Sequence, residues 1–527
     1  MKLASSVPGL PLDRSSRIAL FFFLLAVVLA YPVAQYILSE DLSSLAMGGL
    51  AVLVIGFVIA ILNDWRRGLY IFLGWLLFED FVRKYLGNNM AIYFGKDVLV
   101  GLVYLSFFAA WRRERFPLFR PPYRLPLLLF VWLGIMQVFN PSSPHIIFGL
   151  LGVKLFFYYI PLMYVGYSFL DSEVQLRRFF LWCSLAVVVI GGLGIAQSVI
   201  GPSFLNPSHL QADIRELSTL YREAPLSGDV VYRPNSVFVS GGRFANFLIL
   251  SWLMVFGFTG YLLLRHKKGR NFVFLALAAT AAAVVMCASR GALMWSLGSS
   301  LVGAAAFLWG APWKQGEALR VVRALQRALL GIGLALVLLL AAYPKALMGR
   351  LAVYSETLSP DSPASELVWR ARDYPIKNFL YAFDFPDWPI GYGIGTTGLG
   401  TQYVSRFFHV RPLGGVESGF GTLIVELGIM GLVLWLIMSA AIVISAWRVV
   451  RKLRGSPWFP LAFVIFWYAF LLLFPITFSG MAPYEDFVLN AFLWLLLGIL
   501  FRLPSLALSA QFAAGAAPVK PRRRWVV

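Results

Sequence analysis

Apolar runs of about twenty residues succeed one another along almost the whole chain, and no other feature restricts its folding so much. At a rise of about 1.5 Å per residue, such a run is long enough to cross a hydrocarbon core about 30 Å thick. The runs lie near 18–38, 44–63, 68–83, 91–110, 125–139, 146–168, 179–199, 243–264, 271–288, 291–311, 328–344, 418–447, 458–479 and 485–501. Only 13% of the 527 residues are charged, against roughly a quarter in soluble domains. Little sequence is left over for a soluble part. The expectation is one integral-membrane domain over 1–527, all-α and polytopic, with about 14 transmembrane helices (12–14). The third and fourth runs carry Glu79, Asp80, Lys96 and Asp97, and could instead form a broken pair. Charge at membrane depth has to be paired or wet.

A net charge of +20 raises the question of nucleic acid, and the placement of the cations answers it. With the N-terminus inside, alternate loops hold Arg66 and Arg67; Arg112, Arg113, Arg115, Arg120 and Arg124; Arg177 and Arg178; and Arg265, Lys267, Lys268 and Arg270. Lys314, Arg320, Arg323 and Arg327 follow, then Arg448, Arg451, Lys452 and Arg454, then Arg522 to Arg524. Most of the 45 Lys and Arg thus fall on one side in short loops, as the positive-inside rule requires. No nucleic-acid partner is expected. The lipid bilayer is the partner that composition demands, and the bacterial inner membrane is the expected location.

This topology puts both termini and a tail at 503–527 in the cytoplasm. Outside lie loops at about 200–242 and 345–417, the second a long, partly helical segment before the twelfth helix, and a short joint at Ser289 and Arg290. The first run is followed by no convincing small-residue cleavage site and reads as a retained span. Cys183 and Cys287 both lie in apolar runs, which supports neither a disulfide framework nor a thiolate metal site.

The outer loops concentrate the chemistry. Leu210, Ile214, Leu217 and Tyr221 recur at helical spacing among Asp213, Arg215, Glu216 and Arg222, the pattern of an interfacial amphipathic helix. In RPNSVFVSGGRFANFL, Arg233 and Arg243 flank a turn that leads into an apolar run. Arg290 stands at the outer joint in ASRGAL. Guanidinium forks at the mouth of a membrane cavity suit phosphate or pyrophosphate oxygens; a lone one is more often an interfacial anchor. Gly391, Gly393, Gly395, Gly398 and Gly400 permit positive φ and close backbone approach, although no phosphate-loop GK[ST] follows. Glu417 stands beside Ser418 where the 418–447 run begins, after HVRPLGG with its Arg411. A carboxylate partly shielded from water at that boundary makes a better base. His409 is the reserve candidate.

These segments resemble the O-antigen ligase and Wzy-type polymerase superfamily of bacterial surface-polysaccharide assembly. The ligase signature is His, then Asn, Ser or Gln, nine arbitrary residues and GxxG. Here Glu417 and Ser418 precede nine residues, Gly419 to Leu427, and then Gly428 to Gly431. The spacing agrees and the histidine is replaced. The family's arginine-bearing outer segment resembles 233–248, its SRG joint resembles 289–291 and its glycine-rich approach resembles PIGYGIGTTG. Such proteins resemble integral-membrane glycosyltransferases of the GT-C type. The resemblance implies transfer of a glycan from an undecaprenyl-pyrophosphate carrier to an acceptor hydroxyl, with inversion and without metal or other cofactor. It makes Glu417 the general base, Arg233, Arg243 and Arg290 the pyrophosphate ligands, and Gly393, Gly395, Arg411 and Ser418 positioning residues. A carboxylate in place of the histidine favours a polymerase over a ligase that transfers to lipid A core. A chain-length regulator is a further partner.

A transporter of lipid-linked oligosaccharide also needs a basic cavity, but it should show duplicated halves or broken helices near the midplane. No internal repeat is visible and the polar residues concentrate in the loops. Lys154, within an apolar run, is the transporter's best residue; the alternative is a buried partner for Asp97. A structural subunit of an export machine would leave the outer arginines without a task. The glycan-transfer reading requires Arg233, Arg243, Arg290 and Glu417 to share one cavity.

Overall fold

The computed structural model describes residues 55–86, 90–207, 220–265, 268–312, 341–398, 400–411, 413–475 and 480–513, with single positions at 49 and between 326 and 340. The first expected span, half of the second, part of the eleventh, and most of the amphipathic segment at 210–221 lie outside these residues. The chain divides into two units, one comprising Met1–Phe72 with Leu99–Ser106, the other Leu73–Val98 with Phe107–Val527. In the smaller, Leu69, Phe72, Val100 and Val103 are buried, and Ser106 Oγ donates to the Leu62 carbonyl at 3.4 Å. The larger holds every candidate residue.

Among the described residues the regular elements are helical apart from one hairpin. In chain order the elements are α1 (Trp65–Tyr85), α2 (Met90–Glu114), α3 (Arg124–Gln137), α4 (Ile146–Phe157), α5 (Leu162–Phe169) and α6 (Glu173–Ile200). The hairpin β1 (Tyr221–Glu223) and β2 (Val230–Tyr232) follows, then α7 (Gly241–Arg265), α8 (Arg270–Met286), α9 (Arg290–Gly310) and α10 (Pro344–Leu358). A π-turn, Trp369–Asp373, runs into α11 (Tyr374–Tyr381). The series closes with α12 (Thr401–Phe408), α13 (Gly419–Lys452), α14 (Phe459–Leu473) and α15 (Phe487–Ala513). Among the described residues, seven helices are long and apolar enough to cross a membrane, and α3, α8 and α14 are shorter apolar helices. Their bounds follow the apolar runs closely.

Local signals set these bounds. Ser172 caps α6 by accepting from Gln175 N at 3.3 Å, and Gly201 ends that helix at φ 112°. Ser289 caps α9 and Ser418 caps α13 in the same way, each accepting from a backbone N–H three residues on.

The helix ends sort into two sets, and side-chain pairing identifies them. At one, Arg265 pairs with Glu173, Arg502 with Asp171, and the Arg454 guanidinium lies 4.0 Å from the Trp309 ring centroid. Gly455 N also donates to Gly310 O at 2.7 Å. At the other, the buried Arg350 of α10 donates to the carbonyls of Met286 (2.8 Å), Tyr232 (2.9 Å) and Ser198 (3.3 Å). One guanidinium thus ties the ends of α6, α8 and β2 to α10. Parts of both outer segments meet at this second, loop-rich end: Arg350 donates to Tyr232 O, Leu226 N donates to Glu356, and Glu366 pairs with Arg290.

Gln197 fixes the turn that carries Arg233. Its Oε1 accepts from Asn235 N (2.9 Å) and Ser236 N (2.7 Å), and its Nε2 donates to Asn235 Oδ1 (2.8 Å). Ser236 sits at φ 51° and donates through Oγ to the Ile190 carbonyl at 2.7 Å. Because Gln197 is fully buried, Gln197→Ala leaves two amides without an acceptor, at about 1–3 kcal/mol each. Thermal melting in detergent should show Gln197→Ala unfolding several degrees below wild type; an unchanged melting point would mean that the turn is held by other contacts.

Candidate anion-binding site at the loop-rich end

The structure brings Arg233 and Arg290 together and adds two arginines that the sequence reading left out of the site. Arg233 follows β2, Arg290 opens α9, Arg222 lies on β1 and Arg370 on the π-turn. All four are half-buried. Burial pushes the Arg222 guanidinium down to about 10, and repulsion from Arg233, Arg290 and Arg370 adds to the shift. Burial likewise lowers Arg233, with Arg290 contributing. The Arg222 Nε is buried and has no hydrogen-bond partner among the described residues.

One carboxylate stands in this group. Glu366 Oε2 lies 3.0 Å from Arg290 Nη1 and 2.8 Å from Arg370 Nε. Burial acts to raise its pKa, but the hydrogen bonds from Arg370 and Arg290 outweigh that and hold the carboxyl below its ordinary value. Arg370 is further oriented over the rings of Trp369 and Tyr374, 5.4 and 5.2 Å from their centroids. Tyr221 and Arg222 are strand residues, paired with Tyr232 and Val231. That corrects the end of the helical pattern read across 210–221.

Arg243 belongs to a different ionic group. Its guanidinium pairs with Asp80 and, at 2.7 Å, with Asp486. Around them Arg83 pairs with Asp80 (3.0 Å), Lys96 with Glu79 (3.1 Å) and Lys154 with Asp97 (2.7 Å). The third and fourth runs therefore hold their charges by pairing, and Lys154 is the Asp97 partner. Lys84 Nζ donates to the Ser236 carbonyl at 2.8 Å, joining this group to the turn after Arg233. Two of the Arg243 donors thus go to carboxylates in a group separate from Arg233 and Arg290, so the single cavity that the sequence reading required of all three arginines is not seen for Arg243. The expectation that polar residues concentrate in the loops is corrected as well.

Glu417 is exposed. The shielding expected for it is not supplied by the described residues. It directly precedes Ser418, whose Oγ accepts from Gly421 N at 3.1 Å. His409 ends α12 at φ 53° and is exposed, as is Arg411. Across from this helix start, the Asn378 carbonyl of α11 would stand 3.3 Å from a Cβ placed on Gly421. Arg370 lies eight residues before Asn378, about 12 Å along a helical path.

The glycine loop is wedged among helices. Gly391, Gly393, Gly395 and Gly400 have positive φ, as anticipated, but the close approach at the first three is to other backbone. A methyl on Gly395 would strike the Phe148 carbonyl and Gly152 of α4. Tyr392 N donates to Val425 O (2.8 Å) and Gly393 N to Glu426 O (2.9 Å). Helix α13 breaks beside the loop, at Gly428 with φ 70°. The fully buried Glu426 carboxylate accepts from Gly395 N (2.8 Å), Thr397 N (2.9 Å) and Thr397 Oγ1 (2.7 Å). Sequence reasoning missed Glu426, whose one signal was a carboxylate inside an apolar run. No three His, Cys, Asp or Glu side chains among the described residues group as metal ligands.

No protein-family model and no curated protein matches the chain. The two arginine environments differ in what a substitution should cost. Arg243→Ala strands two buried carboxylates and should cost about 3–5 kcal/mol, whereas Arg290→Ala removes a partly exposed pair worth about 1 kcal/mol or less. Melting curves of the two variants in detergent should separate clearly; equal loss would remove the distinction between a structural and a ligand-facing arginine.

Proposed function

We propose that this protein is a polymerase of lipid-linked oligosaccharide repeat units in the bacterial inner membrane, transferring glycan from undecaprenyl pyrophosphate to an acceptor sugar hydroxyl. The observation that carries the reading is the group of Arg222, Arg233, Arg290 and Arg370 at one end of an apolar helical bundle. Guanidinium groups donate paired hydrogen bonds to phosphate oxygens, and four of them held in mutual repulsion are stabilised by a dianionic diphosphate. The opposite helix ends carry Arg265, Arg270, Arg448, Arg451 and Lys452. The positive-inside rule assigns that end to the cytoplasm and the arginine group to the periplasm.

In the proposed step Glu417 accepts the proton of the acceptor hydroxyl as its oxygen attacks the anomeric carbon. The bond from that carbon to the pyrophosphate oxygen breaks, the electron pair leaves with the diphosphate, and configuration inverts. The arginines stabilise the charge that develops on the leaving group. Ser418 and the glycine loop act as positioning elements by fixing the start and the break of α13.

A transporter of the same lipid-linked glycan is the second reading, favoured by the break in α13 at Gly428 and by the buried charges around Arg243. Purified protein given lipid-linked repeat units in detergent decides between them: a polymerase lengthens the glycan, and a transporter leaves it unchanged. General-base assistance is worth about 10² to 10⁴ in rate. In cells, Glu417→Gln and Arg233→Ala should each abolish most polymer and accumulate single repeat units, with folded protein still in the membrane. Near-normal polymer from Glu417→Gln would remove that residue from the mechanism.

A further inference from the structure

The Glu366 carboxylate meets its two arginines through a single oxygen. Oε2 stands 3.0 Å from Arg290 Nη1 and 2.8 Å from Arg370 Nε, bridging the first residue of α9 and the π-turn. A phosphate oxygen shared by two guanidinium groups would make the same contacts. The four side-chain charges that act most strongly on Arg222 are Arg233, Arg290, Arg370 and this carboxylate, so Glu366 stands among the arginines assigned to the diphosphate.

The segment that carries Glu366 is tied at both ends by backbone hydrogen bonds. Glu366 N donates to the Thr357 carbonyl at the end of α10 (3.1 Å), and Arg370 N donates to the Glu366 carbonyl (2.8 Å). Between α10 and the π-turn the chain forms short turns closed through Ser359 and Ser362, whose carbonyls accept from Ser362 N and Ser365 N. Beyond it, Val368 and Trp369 are exposed, at 60% and 40%. The Glu366 side chain is itself 41% exposed, so a solute can reach it and water can receive it. An internal anion held by half-exposed pairs is held weakly, each such pair being worth about 1 kcal/mol or less. A diphosphate brings two negative charges and more acceptor oxygens than a carboxylate, and therefore displaces it.

We propose that Glu366 is a tethered stand-in for a ligand phosphate: it occupies the arginine group in the free protein and swings out when a diphosphate binds. This rests on the diphosphate reading of the arginine group. The latch neutralises Arg290 and Arg370 while the site is empty, and it restricts occupancy to anions that bind better than a single carboxylate. A monoanionic sugar acid has no such advantage, whereas a diphosphate does.

The test uses the purified full chain in detergent with inorganic pyrophosphate as the probe. Glu366→Gln keeps the side-chain volume and removes the competing charge, and should tighten pyrophosphate binding about three- to tenfold, while Arg222→Ala weakens it. In the wild-type protein, pyrophosphate should also speed hydrogen exchange of the amides in 359–368, a readout that needs no variant. Binding that is unchanged or weaker in Glu366→Gln, or exchange in 359–368 that stays constant or slows, overturns the latch; continued weakening by Arg222→Ala then leaves the anion site standing. No pyrophosphate binding by wild type or Glu366→Gln, with both proteins folded, overturns the diphosphate reading itself.

Discussion

A guanidinium group withdrawn from water in an apolar bundle must find its acceptors inside the protein or from a ligand, and the whole loop-rich end is organised by how each arginine does so. Arg350 takes three backbone carbonyls and becomes a staple for α6, α8 and β2. Arg243 takes the Asp80 and Asp486 carboxylates and becomes part of the packing between α1, α7 and α15. The buried Arg222 Nε has no hydrogen-bond partner among the described residues, and the strongest charged neighbours of this guanidinium are three other arginines and one shared carboxylate. Clustering cations in this way is unfavourable for folding alone, and it becomes intelligible when an anion completes the set.

The scaffold that bears this cluster is stiff where the chemistry needs position. Gln197 fixes the turn between β2 and α7, and with it the direction in which the chain leaves Arg233. The glycine loop threads between α3, α4 and the break in α13, where the Gln137 and Asn140 side chains donate to the carbonyls of Ile390 (2.8 Å) and Gly391 (2.9 Å). Only residues without a side chain fit at Gly395, because backbone from α4 occupies the space where a Cβ would stand. A buried carboxylate, Glu426, closes the loop from below. The result is a fixed start to α13, with the exposed Glu417 just ahead of it.

Much of this architecture was legible in the sequence because membrane helices are written in long, uniform runs. Most bounds from α2 to α9 and those of α13 and α14 lie close to the apolar stretches, although the run at 146–168 is divided into α4 and α5 and α15 continues to Ala513, and the joint at Ser289 and Arg290 is where two helices meet. Lys154 and Asp97 pair because two unlike charges in neighbouring apolar helices have few other ways to be satisfied. The site was legible only in part. Arg233 and Arg243 are ten residues apart in one motif, but α7 begins between them and points Arg243 at carboxylates on α1 and beside α15. Arg222 sat in a helical spacing pattern, and local periodicity does not reveal strand pairing with 230–232. Glu366 and Arg370 were polar residues in a long loop, with nothing in their spacing to say that the chain folds back over Arg290. Such contacts between distant parts of a chain are decided by tertiary packing, which no single motif records.

The central claim is that the loop-rich end binds a diphosphate through a specific set of arginines, and chemical footprinting addresses it most directly. Wild-type protein in detergent would be modified with an arginine-selective dicarbonyl reagent, with and without a lipid-linked pyrophosphate donor, and each site quantified by mass spectrometry. The account predicts that the donor protects Arg222, Arg233, Arg290 and Arg370 and leaves Arg243 and Arg350 unaffected. Protection centred on Arg243, or no protection of the four by a donor that demonstrably binds, would contradict it.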